Sequence, residues 1–535
     1  MRFLTRCTAA AVAVVFAALA CRAPEQSSPA TDATRASNPS HGGAIVYDLE
    51  ADPTGLDPTR NAWDPSSLHV AEAIFDTWAA FDAGGGVRPY LAERIDHDAD
   101  FTHWSVRIRS GVSFHDGTRL DADAGMRMTN ALRASLVTGQ AATYITAVDK
   151  VDDLTVRLTM KAPWASFPAL LTGQGGYVIA PAQLDDPEGP LHPIGTGPFQ
   201  LVSWDRDAHV LTLRRNPVYW RAGLPYLDGV TFHAETDPLT RINRLQARAA
   251  DVSTASFPAD VRRLEASADA AHLTVAHDGG ATETEFVMFN TAHAPLDDVR
   301  VRRALAYATD RDALAAAEAW SKDRLTTGPF APGTRWRVDT AFPGYDPKRA
   351  RALVQDYERD HGPIHFALSA GIEPAVLQTL AAQWAAVGIT ADVVQLDFTK
   401  GVLLAVGGNY DAILFRYFAA VDPDTLWHFW SGETIRPPGQ ISLNLARYGD
   451  AEIDRAIDTA RASPDPATRA TAYATVQRRF ADQVPYLWLY RTDWVIATGR
   501  HVHDARNVTL PDGSAAMPFV AGVHRLTETW VDAPR

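Results

Sequence analysis

From residue 42 onward the chain alternates short apolar runs, amphipathic stretches and turns. The runs at 44–49, 104–108, 156–160, 210–214, 286–289, 365–370, 391–396 and 411–415 are bounded by turn formers, which predicts strands. Apolar residues recur at helical spacing over 67–78, 238–249, 299–309, 347–357, 374–387, 451–462 and 466–482. Several of these stretches carry proline in the first turn, where its missing N–H costs nothing, and Gly388 follows the 374–387 stretch where a terminal glycine belongs. The aromatic run Tyr486-Leu487-Trp488-Leu489-Tyr490 predicts a further strand, and Gly84-Gly85-Gly86 a hairpin turn. Strands and helices that alternate in this way predict an α/β protein, and no short-period repeat is present.

The first 41 residues follow a different pattern. Arg2 and Arg6 precede an unbroken apolar run over 9–20, too short to anchor in a bilayer and read as a signal peptide spanning 1–20. Ala18-Leu19-Ala20-Cys21 resembles a lipoprotein cleavage site, with Cys21 as the lipidated residue, although Ala18-x-Ala20 also satisfies an ordinary signal-peptidase pattern. Residues 21–41 are rich in Pro, Ser, Ala and Thr without apolar periodicity, as expected of a flexible, lipid-anchored linker.

Length narrows the picture next. A chain of 535 residues exceeds one ordinary core, so at least two lobes are expected. The 64 acidic and 50 basic residues leave a net charge of −14, which disfavours a nucleic-acid partner. No cysteine follows Cys21, so the folded part has no disulfide, thiol nucleophile or cysteine metal site. There is no Gly-x-Ser-x-Gly elbow, no His-Glu-x-x-His and no Gly-Lys dipeptide, which lowers the case for acyl transfer, zinc chemistry and nucleotide use. His501-Val502-His503 reads as exposed surface, and Asp422-Pro423-Asp424 as a turn with a helix cap. No catalytic residue, metal or cofactor is expected.

A series of motifs then points to a family: Gly55-Leu56-Asp57-Pro58, Ile74-Phe75-Asp76, Arg88-Pro89-Tyr90-Leu91-Ala92-Glu93, and the stretch from Trp104 to Thr118 containing Phe114-His115-Asp116-Gly117. Pro193-Ile194-Gly195-Thr196-Gly197-Pro198-Phe199, Arg215-Asn216-Pro217-Val218-Tyr219-Trp220, Phe289-Asn290 and Asp298-Val299-Arg300-Val301-Arg302-Arg303-Ala304-Leu305 follow. Tyr345-Asp346-Pro347-Lys348-Arg349-Ala350, Gly388-Ile389, Tyr410-Asp411 and Asp422-Pro423-Asp424 complete the set. In this order they resemble the extracellular solute-binding proteins of family 5, the peptide, dipeptide and nickel-complex binding components of bacterial ABC importers.

The resemblance implies a two-lobed periplasmic-binding-protein fold of type II, large cluster C, with an extra subdomain on the first lobe and a hinge between lobes. The expected layout is lobe I over 42–275 with its subdomain at about 60–190, lobe II over 276–485, and a return to lobe I over 486–535. It also implies a monomeric extracytoplasmic protein, held to a membrane by its lipid, that passes a peptide-like or anionic solute to permease transmembrane subunits. A secreted peptidase-like hydrolase, and a receptor or chaperone on the same body, are the alternatives. The family's peptide binders anchor the ligand's amino group on an aspartate where this chain has Ala419. A buried ammonium without a carboxylate is costly, so that mode of anchoring is disfavoured here. Arg416 suits an anionic group or a lobe-bridging salt bridge, and Trp63, Tyr417, Trp427, Trp488 and Tyr490 are candidate cleft walls or core.

Overall fold

The computed structural model describes residues 39–278, 283–371, 374–417 and 421–532. The leader at 1–20, Cys21, the linker through residue 38 and Ala419 lie outside the described residues. Three sheets organise the rest. A seven-stranded sheet runs in the order Leu273–His277, Val495–Gly499, Val252–Ala255, Ala44–Leu49, Gly229–Ala234, Val210–Arg215, Phe199–Asp205. A five-stranded sheet runs Thr390–Gln395, His365–Ala370, Ala412–Tyr417, Thr284–Phe289, Tyr486–Arg491, parallel on one side and antiparallel on the other. A four-stranded antiparallel sheet runs Ala92–His97, His103–Ile108, Thr155–Met160, Ile145–Asp152. The architecture is mixed α/β, and among the described residues no helix is long and apolar enough to cross a membrane.

The order of strands makes the chain pass between the two larger sheets twice. It leaves the seven-stranded sheet after Leu273–His277 and enters the five-stranded sheet at Thr284–Phe289. After Tyr486–Arg491 it returns, through residues 492–494, to Val495–Gly499 in the first sheet.

Local chemistry explains where elements begin and end. The helix expected at 67–78 is Pro65–Ile74: Asp64 accepts from the Ser67 N–H at 2.7 Å, and Pro65 occupies the first turn. It stops at Ile74 because the Gly195-Thr196-Gly197 segment packs on its last turn. A Cβ on Gly195 would lie 2.2 Å from the Ile74 carbonyl oxygen and one on Gly197 2.5 Å from it, so close backbone approach, and not a left-handed angle, demands these glycines. Gly117 is the other case, with φ of +83° in the turn after Phe114. The helix expected at 238–249 ends at Gln246, and Arg248 then turns into the left-handed region at φ +58°. Helix Ala122–Ala134, which the apolar pattern does not single out, is capped by Asp121 and buries Met128 and Leu132.

Two large apolar cores result. One lies with the seven-stranded sheet around Ile45, Tyr47, Ile74, Phe75, Val230 and Phe232. The other joins the interior of the five-stranded sheet to that of the four-stranded sheet, so that Trp104 and Trp164 belong to the same apolar cluster as Trp427 and Trp488.

Candidate ligand site at the junction of the two large sheets

Strand Ala412–Tyr417 ends where the two crossings between sheets lie, and its register sets which side chains meet there. Arg416 faces Glu285, which faces Tyr490; Tyr417 faces Thr284, which faces Arg491. Directly opposed residues in an antiparallel pair point to the same side of the sheet, so Arg416, Glu285 and Tyr490 share one face, and Thr284 and Arg491 the other.

On the first face, Arg416 Nε lies 3.3 Å from Glu283 Oε2, and its guanidinium lies 5.4 Å from the Trp494 ring centre. The Trp494 indole donates to the same Glu283 oxygen at 2.9 Å, and Arg416 Nη1 reaches Ser256 Oγ at 3.4 Å. Ser256 follows strand Val252–Ala255, so Arg416 ties the two large sheets together across their junction. Burial pushes the Glu283 carboxyl above its usual range, and the Arg416 charge opposes that push. Glu50, paired with Arg241 at 3.4 Å, is raised by burial in the same way and held back by Arg241 and Arg416. The Arg416 charge is therefore met by buried carboxylate.

Beyond residues 418–420, two aspartates shape the loop. Asp422 accepts the Asp424 N–H at 3.0 Å as cap of the short 3-10 helix Pro423–Leu426, and receives both Nη atoms of Arg469 at 2.8 and 2.5 Å. Turn and cap are thus the role of Asp422-Pro423-Asp424. Asp424 is buried and accepts from Trp164 Nε1 at 2.6 Å, Ser166 Oγ at 2.8 Å and Arg461 Nε at 3.2 Å. The Arg461 guanidinium, itself 1% exposed, lies 4.0 Å from the Trp427 ring, 4.1 Å from Tyr144 and 5.3 Å from Trp164. Beside it, burial and then the Arg461 charge push the His428 imidazole down to about 3. This buried box fastens the loop to residues flanking the four-stranded sheet.

The structure brings Arg416, Tyr417 and Tyr490 to one end of the five-stranded sheet and puts Trp427 in the box behind the following loop. The Tyr417 side chain lies outside what the structure describes. Tyr490 stacks on Trp320 at 4.9 Å. Trp63 sits elsewhere, in the core with the seven-stranded sheet, packed on Phe75 and Tyr177 with its indole donating to the Gly55 carbonyl at 3.0 Å. Trp488 is fully buried among Phe286, Phe480 and Tyr486. Glu283, Trp494, Arg461 and Arg469 were not singled out by sequence pattern. Arg461 carries a readable signal, because it stands four residues after Ile457 on the buried face of helix Ala451–Ala462.

Comparison with known proteins places this geometry. The model of the bacterial extracellular solute-binding proteins, family 5 (middle region), matches residues 86–436. The chain is 30% identical over 477 residues to a di/tripeptide-binding protein 2 of Pseudomonas aeruginosa, covering 82% of this chain and 87% of that one. It is 28% identical over 457 residues to a glutathione-binding protein of Pectobacterium atrosepticum, covering 82% and 86%. The fold matches that of the periplasmic binding protein DppA from Helicobacter pylori in complex with the peptide STSA, with a TM-score of 0.80 at 21% identity over 92% of this chain and 99% of that one. A solute-binding protein, not an enzyme, is what these residues build, and the chain belongs to the bacterial extracellular solute-binding proteins of family 5.

Proposed function

We propose that the chain captures a small peptide-like solute between two lobes and presents it to the transmembrane subunits of an ABC importer. In this reading lobe I carries the seven-stranded sheet, lobe II the five-stranded sheet, and the lobes bend where strands Thr284–Phe289 and Tyr486–Arg491 of one sheet meet Leu273–His277 and Val495–Gly499 of the other, the second passage running through 492–494. The double passage between sheets is the observation that carries the reading, since bending at two adjacent strands opens and shuts a gap without disturbing either core. The solute lies at the end of Ala412–Tyr417, beside Arg416 and Tyr490, with Trp427 backing the following loop. Di- and tripeptides are the first class to test, because relatives are named for them, and Ala419 in place of an aspartate favours solutes that do not depend on a free ammonium. The protein works as a monomer, tethered to the membrane through lipid on Cys21.

Titration of the full chain with a di- and tripeptide library, read by intrinsic tryptophan fluorescence and small-angle scattering, tests this. The expected result is a saturable fluorescence change, a smaller radius of gyration on binding, and recovery of intact peptide. Hydrolysed peptide, or an unchanged radius at saturation, would sink the proposal.

A further inference from the structure

His277 is the last residue of strand Leu273–His277, where the chain leaves the seven-stranded sheet, and its half-exposed ring lies between two carboxylates. Nδ1 is 3.1 Å from Asp493 Oδ1, and Nε2 is 3.1 Å from Glu265 Oε1. Asp493 belongs to the return passage 492–494, and Glu265 to helix Pro258–Ser267, whose Val261 and Leu264 share a small core with Leu273 and Val495. A neutral imidazole has one N–H, so it can donate to one flanking carboxylate while turning a lone pair towards the other; the imidazolium donates to both. Only the charged ring therefore satisfies both contacts.

The surrounding charges continue this line from one sheet to the other. Asp493 also pairs with Arg324, whose Nη1 donates to the Thr492 carbonyl at 3.0 Å. Arg324 stands on segment 324–326, which runs along the outer strand of the five-stranded sheet: Leu325 bridges Tyr490, and the Thr326 N–H donates to the Leu489 carbonyl at 3.1 Å. Signs thus alternate through Glu265, His277, Asp493 and Arg324. The other charged groups nearby are engaged elsewhere. Arg262 donates to the Ala319 carbonyl at 2.6 Å, Arg263 to Asp260 at 2.9 Å and Arg491 to the Asp323 carbonyl at 2.6 Å, while the strand paired with His277 places uncharged Val495 opposite it. Backbone bonds join the two passages on either side of Asp493: the Asp278 N–H donates to the Trp494 carbonyl at 2.8 Å, and the Thr492 N–H to the Glu283 carbonyl at 2.9 Å. The hydrogen bond to Asp493 raises the His277 imidazole above its usual range; burial opposes this, the Asp493 and Glu265 charges add to it, and Arg324 works against it.

We propose that His277 is a pH-dependent clasp on the two passages between the sheets: charged, it ties the return passage to helix Pro258–Ser267, and neutral, it frees the passages to bend. Of the four groups in the line, the imidazole is the one whose ordinary titration falls near neutral pH. The clasp is whole while the ring is charged and is lost as pH rises through its folded pKa, so bending is stiffer in acid and easier in base. The inference rests on the bending reading above and adds to it the residue that sets the stiffness.

Histidine-ring NMR and amide hydrogen exchange on the full chain, at matched ionic strength, test it. The His277 resonance, assigned by its loss in His277→Gln, should titrate above about 6.5, and lower in Asp493→Asn than in wild type. Protection of the Asp278 and Thr492 amides, corrected for the intrinsic pH dependence of exchange, should fall about two- to fivefold between about pH 6 and about pH 9, the range a half-exposed ion pair supplies. In His277→Gln that protection should already be low in acid and stay flat, and in His277→Lys, which keeps a charge, it should persist to the basic end. A ring that titrates at or below about 6.5, or a fall in protection that survives in His277→Gln, overturns the clasp and leaves the bending reading standing. The bending reading fails separately, when saturating peptide leaves the radius of gyration unchanged, and the clasp then falls with it as a control on bending.

Discussion

Arg461 and Arg491 are both withdrawn from solvent within one protein, and they are treated in opposite ways. Arg461 is fully buried, with the Asp424 carboxylate on its Nε and three aromatic rings around its face. Its Nη atoms have no hydrogen-bond acceptor among the described residues, and the rings of Trp427 and Tyr144 supply the electrostatic partner instead. Arg491 is half-buried, faces another arginine across the strand pair and has Arg337 close by, with a backbone carbonyl as its hydrogen-bond partner. The first arrangement is complete without a ligand and holds the fold together. The second is a looser arrangement at the edge of solvent, in which a backbone carbonyl and the exposed Asp323 carboxylate are set against the charges of Arg324 and Arg337. Burial of an arginine therefore says little until its counter-charges are counted.

The sharpest way to break this contrast is to remove Arg461. Arg461→Ala leaves Asp424 buried without its cation and should cost about 3–5 kcal/mol in denaturant unfolding, with Asp424→Ala in the same chain recovering part of the loss. A cost below about 1 kcal/mol would show that the box is not a structural clamp. The His428 resonance should also titrate at higher pH in Arg461→Met, because one of the two causes of its depression is gone.

A third way of handling charge is to keep a group neutral, and it sharpens the comparison. Tyr47 OH joins His69 Nδ1 at 3.2 Å and His524 Nε2 at 3.0 Å in the core, and burial pushes His524 down to about 4 and His69 well below its usual value. With its folded pKa depressed, His524 takes up a proton in the unfolded chain first. Its contribution is thus fully present above about pH 6.5 and is lost as pH falls towards 4. Linkage puts this at about 3 kcal/mol, and His524→Gln should flatten the acid limb of the stability-versus-pH curve by a similar amount. An acid limb of unchanged slope in that variant would mean that other groups carry the acid sensitivity.

The smallest expected change lies at the other arginine. Arg491→Gln should stay within about 0.5 kcal/mol of wild type, because relief of repulsion from Arg324 and Arg337 offsets the lost bond to the Asp323 carbonyl. A loss as large as that in Arg461→Ala would erase the distinction between the two sites.

Much of the fold was legible where one segment carries its own pattern. The apolar runs at 44–49 and 365–370 and the helical stretch at 451–462 coincide with strands Ala44–Leu49 and His365–Ala370 and helix Ala451–Ala462. Strands Gly229–Ala234, Val252–Ala255 and Leu273–His277 were not singled out. Each is short and laced with Thr, Ser or His, and it is a strand because of the neighbours it pairs with. The helix expected at 67–78 shows the same limit in reverse, since a helical pattern continues past Ile74 while the glycine segment packed on it from residue 195 does not allow the helix to. At the junction of the two large sheets, Arg416 and Tyr490 were named by resemblance as candidates, whereas the Glu283 that meets the Arg416 charge was not.

By itself the sequence determined the alternation of strands and helices, their caps, the family and the residue types available at the junction, because these depend on side chains a few positions apart. Only the tertiary structure decided which charges are compensated. Trp164 meets Asp424 across 260 positions and Arg416 meets Ser256 across 160. Hydrogen bonds and Coulomb forces act through space, and it is the packing of the sheets that sets those distances.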